Sequence, residues 1–202
     1  GIAYCKKRNL FFVINAGSDE VSIYEKNNFK YIDKIKFSEK YDKTGNGQHH
    51  INDLTVVDDD LIISYFSLTG AWKKGGMDGG VCEINIDSEN KKPLPIFNDL
   101  WMPHSPEFID GQICVLDSMR RSIWIGNKRN EGTFQGFIRG LAYDGRFYFI
   151  GQSEDMYMSR LFGLTPNIMC NAGIYLFDVE KKVSRFYSFP GIMNIHDLHV
   201  HK

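Results

Sequence analysis

Residues able to do chemistry recur at one kind of place in this sequence, just ahead of short apolar runs. They are His50, Asn52 and Asp53 before Leu54; His104 and Ser105 before Pro106; Arg139 before Gly140-Leu141; and His196 and Asp197 before Leu198. Neutral imidazoles converging with a carboxylate are a ligand set for a divalent metal, which would activate water or stabilise an enolate in hydrolase or lyase chemistry. On that reading His50, His104 and His196 are the candidate ligands, with Asp53 beside them. Arg139, if it reaches the same place as His104, offers a two-pronged donor to a carboxylate or phosphate, so a small anionic ligand is the other reading. Trp72 adds a surface on which a sugar ring would stack. Each of these residues also has a structural role open to it. Polar side chains at strand entrances satisfy backbone groups there, Arg139 would pair with Asp53 or Glu107, and tryptophans fill cores. Asp117-Ser118, the stretch ending at Ser18, and Gln152-Ser153 follow apolar runs without a nucleophile elbow, which argues for turn chemistry rather than a serine nucleophile.

Strands and turns must position these residues. The segment 103–118 reads as a hairpin, polar at its entrance, turning at Asp110-Gly111 and returning through Ile113-Cys114-Val115-Leu116. The same design recurs at 52–65 around Asp58-Asp59-Asp60 and at 139–150 around Asp144-Gly145, and a further copy begins at His196. Residues 2–5, 10–15, 21–25 and 31–37 read as four more strands between polar turns. The charged segment 38–49 reads as a loop, because its Gly45-Asn46-Gly47 is followed by a strand where phosphate binding needs a helix. Residues 67–80 form a glycine-rich loop inside a hairpin, a length common in functional loops. The insert 153–172 would fold as a short helix on the end of its sheet.

Units of four strands repeating every few tens of residues are the mark of a β-propeller, whose blades stack because none buries both faces alone. The expected architecture is a single all-β, β-propeller-like domain over 1–202, with about four to five blades of four-stranded antiparallel sheets. Blade units fall near 1–47, 48–99, 100–137 and 138–190, with the first strand of a further blade at 193–202. First strands line the channel of such a fold, which would bring the polar entrances to one mouth.

Composition removes several classes. With 24 Lys and Arg against 25 Asp and Glu, a net charge of −1, nothing advertises nucleic acid or an anionic membrane surface. No apolar run approaches the length of a membrane span, and no signal peptide is present. The cysteines, Cys5, Cys82, Cys114 and Cys170, lie in or beside apolar runs without paired spacing, as reduced thiols of a cytoplasmic protein do. Residue 1 is Gly, and the chain enters at once on Ile2-Ala3-Tyr4, the pattern of a piece cut from something longer.

The pieces His50-Ile51-Asn52-Asp53-Leu54, Trp72 with Gly79-Gly80-Val81, Met102-Pro103-His104-Ser105-Pro106, Val115-Leu116-Asp117-Ser118, Arg139-Gly140-Leu141-Ala142, Phe162-Gly163-Leu164 and Gly173-Ile174-Tyr175 occur in order. In them the chain resembles the DUF4915 family of bacterial β-propeller-like proteins. The resemblance implies a propeller, longer relatives with further N-terminal repeats, and no catalytic assignment. Ring closure therefore rests on this chain alone, on missing N-terminal blades, or on a homo-oligomer. The expected function is binding of a small anionic or sugar-like molecule at the channel mouth by Asn52, Asp53, His104, Ser105, Arg139, His196, Asp197 and Trp72. The alternatives are a hydrolase or lyase holding a divalent metal on His50, His104 and His196, and a protein-interaction platform.

Overall fold

Alternating side chains and tight polar turns produce strands almost throughout. The computed structural model describes residues 1–154 and 171–201. The helix expected within 153–172 and the thiol of Cys170 fall outside the described residues.

Among the described residues sixteen strands form four antiparallel sheets in which neighbours in sequence are neighbours in space. The first sheet holds β1 (Ile2–Cys5), β2 (Leu10–Asn15), β3 (Glu20–Glu25) and β4 (Tyr31–Lys36). The second holds β5 (Ile51–Val57), β6 (Asp60–Tyr65), β7 (Gly79–Asn85) and β8 (Leu94–Leu100). The third holds β9 (His104–Ile109), β10 (Gln112–Asp117), β11 (Ser122–Ile125) and β12 (Lys128–Glu131). The fourth holds β13 (Phe137–Tyr143), β14 (Tyr148–Ser153), β15 (Gly173–Asp178) and β16 (Val183–Ser188). Turn chemistry sets several of the reversals. Asp110 and Gly111 both take positive φ, 48° and 77°, as a two-residue hairpin turn demands.

The chain divides into two compact units, Gly1–Pro106 and Glu107–Lys202. In the first, Cys5, Phe12, Val21, Ile23, Ile35 and Phe37 of the first sheet and its exit pack against Ile51, Leu54, Leu61, Ile63, Tyr65, Cys82 and Ile84 of the second. In the second unit, Cys114, Leu116 and Ile123 meet Ile138, Leu141, Tyr148, Ile150, Tyr175 and Phe177. Each such side chain taken out of water contributes about 1.5–3 kcal/mol, so these face-to-face packings hold each unit together. Strand pairing puts residues of one row on one face: Phe12 sits opposite Ile23 and both are buried, while the adjacent Phe11 sits opposite Tyr24 on the other face.

Two departures from the sequence reading concern loops. Segment 38–49 contains a five-residue helix, α1 (Lys40–Thr44), which Gly45 ends in the left-handed region at φ 68° by donating to Tyr41 O. A helix this short leaves no periodic signal. Residues 192–201 are assigned to no strand, although Glu154 N donates to Met193 O at 2.9 Å and ties the segment to the fourth sheet.

Candidate functional site

The first unit builds its site around a buried carboxylate. Asp19 lies in the turn between β2 and β3, is 1% exposed, and takes φ 53°, which Asp tolerates better than most residues. Its Oδ2 accepts the backbone N–H of Gln48 at 2.5 Å and of His49 at 2.8 Å, and its Oδ1 accepts that of Ile51 at 3.3 Å. The approach to β5 is thereby pinned to the first sheet. His49 completes the fastening. Its Nδ1–H donates to Ser67 O at 2.9 Å, which leaves Nε2 to accept the hydroxyl of Ser38 at 2.7 Å. Burial holds the His49 imidazole below its ordinary pKa, so this histidine is a neutral strut.

His50 follows in the left-handed region at φ 50° and faces an aromatic group. Its ring lies 4.4 Å from Phe66 and 4.8 Å from Trp72, and Phe66 in turn meets His104 edge-on at 5.2 Å. Trp72 opens a 3-10 turn (Trp72–Lys74) in the glycine-rich loop. The loop is held by a polar hub. Ser67 Oγ accepts Gly70 N at 2.8 Å and Ala71 N at 3.0 Å and donates to Asp78, whose other carboxylate oxygen accepts Thr69 N at 2.9 Å. Burial alone would raise the Asp78 pKa, but the hydrogen bonds from Ser67 and Thr69 outweigh it and hold the carboxyl below its ordinary value. Lys40 Nζ reaches Leu68 O at 3.2 Å and Thr69 O at 3.1 Å, so α1 braces the same loop.

Between these parts lies a cavity of about 290 Å³, lined by Ala16-Gly17, Asn46-Gly47, His50, Trp72 and Lys73. Gly47 permits the backbones to meet there. Its N–H donates to Gly17 O at 2.9 Å, and a Cβ on it would stand 2.7 Å from Ala16 O. The Lys73 ammonium stands 5.3 Å over the Trp72 ring. The second unit has its own cavity of about 300 Å³, lined by the ends of β9 and β13 and by residues 198–200. Its ionisable lining is Glu107, Asp110, Tyr143 and His199, with no Lys or Arg among the lining residues.

The first unit brings together Asn52, Asp53, His104 and Ser105, and it uses them as fasteners between strand entrances. Asn52 Nδ2 donates to Pro103 O at 2.9 Å, Ser64 Oγ donates to Asn52 Oδ1 at 2.5 Å, and Asp53 Oδ2 accepts Ser105 N at 3.1 Å. His104, 6% exposed, donates from Nδ1 to Met102 O at 2.9 Å. The second unit brings together Arg139 and His196. The guanidinium donates to Nδ1 at 2.6 Å, and burial followed by the Arg139 charge lowers the pKa of His196. Asp197 takes the N–H of its neighbour Leu198 on its own Oδ1 at 2.8 Å.

Among the described residues no group of three or more His, Cys, Asp or Glu is placed to hold a metal ion. Of the three imidazoles in the expected ring, His50 stacks on aromatics, His104 donates to a carbonyl and His196 accepts from Arg139. Sequence reasoning passed over Asp19, Asn46 and Lys73. The only sign of the last was its place in the glycine-rich loop, and Asp19 reads as an ordinary turn residue because its partners lie some thirty positions on.

Residues 2–200 match the family described as domain of unknown function DUF4915. The chain belongs to the DUF4915 family. No curated protein matches it in sequence. Among solved structures it is similar to a chain of a nidogen/laminin complex, at 10% identity and TM-score 0.66, over 98% of this chain and 66% of that one. It is also similar to the WD40 domain of Neurospora crassa Pan2, at 12% identity and TM-score 0.51, over 99% and 68%. A third is luciferin-regenerating enzyme, at 11% identity and TM-score 0.53, over 98% and 80%. The chain thus spans just under two thirds of the nidogen/laminin match. At such identities these likenesses bear on fold alone, and the fold of this DUF4915 chain is a β-propeller with four four-stranded blades among its described residues. In the same residues no helix is long and apolar enough to cross a membrane.

Proposed function

We propose that this chain is a binding module for a small, hydroxylated, anionic molecule of about one sugar ring, seated in the first unit's cavity. The observation that carries the reading is the pairing of an aromatic wall, Trp72 and His50, with the Lys73 ammonium around about 290 Å³. An indole face receives the C–H face of a sugar, the Asn46 amide and the close-set backbones at Gly17 and Gly47 supply hydrogen bonds, and Lys73 receives a carboxylate or phosphate. The braced loop adds preorganisation, which lowers the entropic cost of closing around a ligand.

The test is calorimetric titration of the chain with glucose, glucuronate and glucose 1-phosphate. The expected result is binding of the anionic sugars that Trp72→Ala weakens at least about tenfold, equal to about 1.4 kcal/mol, with a small change in melting temperature. Equal affinity in Trp72→Ala rejects the site. Affinity lost in Arg139→Ala but kept in Trp72→Ala would instead place the ligand at the Arg139–His196 pair.

A further inference from the structure

The wall that carries Trp72 and Lys73 is one compact turn hung from one hydroxyl. Within the turn Lys74 N donates to Ala71 O at 2.8 Å, Gly75 N to Trp72 O at 3.0 Å and Gly76 N to Ala71 O at 3.1 Å. Gly76 lies so close that a Cβ on it would stand 2.7 Å from Ala71 Cβ, which makes residues 71–76 a single piece. The two N–H groups at the entrance of that piece, those of Gly70 and Ala71, both go to Ser67 Oγ. A serine three and four positions earlier in sequence is the residue type that satisfies such groups.

The same serine grips the opposite wall with its main chain. Ser67 N donates to His49 O at 3.2 Å, and Ser67 O accepts His49 Nδ1–H at 2.9 Å, one residue from His50. Ser67 is 0% exposed, so water does not compete for these groups. At the neck of the loop Leu68 N donates to Asp78 O at 3.1 Å, and the Ser67 hydroxyl donates to the Asp78 carboxylate. A continuous link therefore runs from His50 through His49 and Ser67 to Trp72. Neither Ser67 nor Asp78 lines the cavity, yet they set the 4.8 Å between the two rings that do.

We propose that Ser67 is the positioning residue of this cavity: its hydroxyl holds the Trp72 wall where a ligand can use it. The inference rests on the reading of the cavity as a site for an anionic sugar. Loss of the hydroxyl thins the population able to bind and removes no contact with the ligand. A wall in place one tenth of the time lowers apparent affinity about tenfold, and the loss falls on the association rate while dissociation is unchanged.

The experiment compares the parent chain with Ser67→Ala and with Asp78→Asn, which keeps the shape of the neck and weakens the same hydrogen bonds. Hydrogen exchange at single amides is followed without ligand, and association and dissociation rates for glucuronate are taken from NMR line shapes. In Ser67→Ala the amides of Gly70 and Ala71 should exchange at least about tenfold faster while those of β6 and β7 keep their protection, and glucuronate should associate about tenfold more slowly with an unchanged dissociation rate. Asp78→Asn should shift both readouts in the same direction by less, and it decides the matter if the alanine variant does not fold. Unchanged exchange at Gly70 and Ala71, unchanged affinity, or a loss carried by the dissociation rate overturns the proposal and leaves the sugar site standing. A parent chain that binds no glucuronate at any concentration removes the sugar reading and this inference with it.

Discussion

Replacing Asp19 tests the claim that one carboxylate fastens the approach to β5 and thereby places His50. In Asp19→Ala three backbone N–H groups, those of Gln48, His49 and Ile51, lose their acceptor at a position 1% exposed. Stranding buried donors costs about 1 kcal/mol or more each, about 3 kcal/mol together. Alanine at φ 53° adds about 1 kcal/mol of backbone strain that aspartate bears more easily. For a chain of this size about 4 kcal/mol corresponds to a fall of roughly 8–16 °C in melting temperature. Asp19→Asn keeps one carbonyl oxygen and tolerates the left-handed backbone, so its loss is expected to be less than half as large. Scanning calorimetry with urea unfolding measures both variants. An Ala variant melting within about 2 °C of the parent, or an Asn variant less stable than the Ala one, would refute the reasoning.

Two further outcomes follow from buried titratable groups. His49 is held below its ordinary pKa by burial, so as pH falls the unfolded chain takes up its proton before the folded one does. The stability tied to the neutral ring is complete above the unfolded value and drains away as pH drops through the folded value. The gap in melting temperature between the parent and His49→Gln should therefore narrow from about pH 7.5 to about pH 5, and a constant gap contradicts the strut. Burial also pushes the Cys114 thiol up to about 11 and the Cys82 thiol further. Iodoacetamide at about pH 8 should leave both unlabelled until urea is added, and labelling of either in the native chain at the rate of a free thiol counts against the packing.

Much of the architecture was legible because the forces that set it act over a few residues. Side-chain alternation and turn chemistry lie within a hairpin, which is why the segments 2–5 and 10–15 match β1 and β2, and why Asp110-Gly111 turns where its composition says. The helix at Lys40–Thr44 escaped because five residues are too few to show a period. Among candidate site residues, Trp72 and His50 were visible as types, yet their contact at 4.8 Å was not, since a loop brings together residues that no spacing rule connects.

The primary structure by itself determined the strands, their grouping in fours and the polar dyads at their entrances. Only the tertiary structure decided what each dyad does. Asp53 and Asp19 are alike on paper as carboxylates near turns, but one holds the entrance of β9 at Ser105 and the other the approach to β5. Those partners sit 52 and 30 residues away. Strand formation is a local contest between side chain and backbone, whereas a carboxylate's role depends on which distant N–H groups the packing of one blade on the next brings within reach.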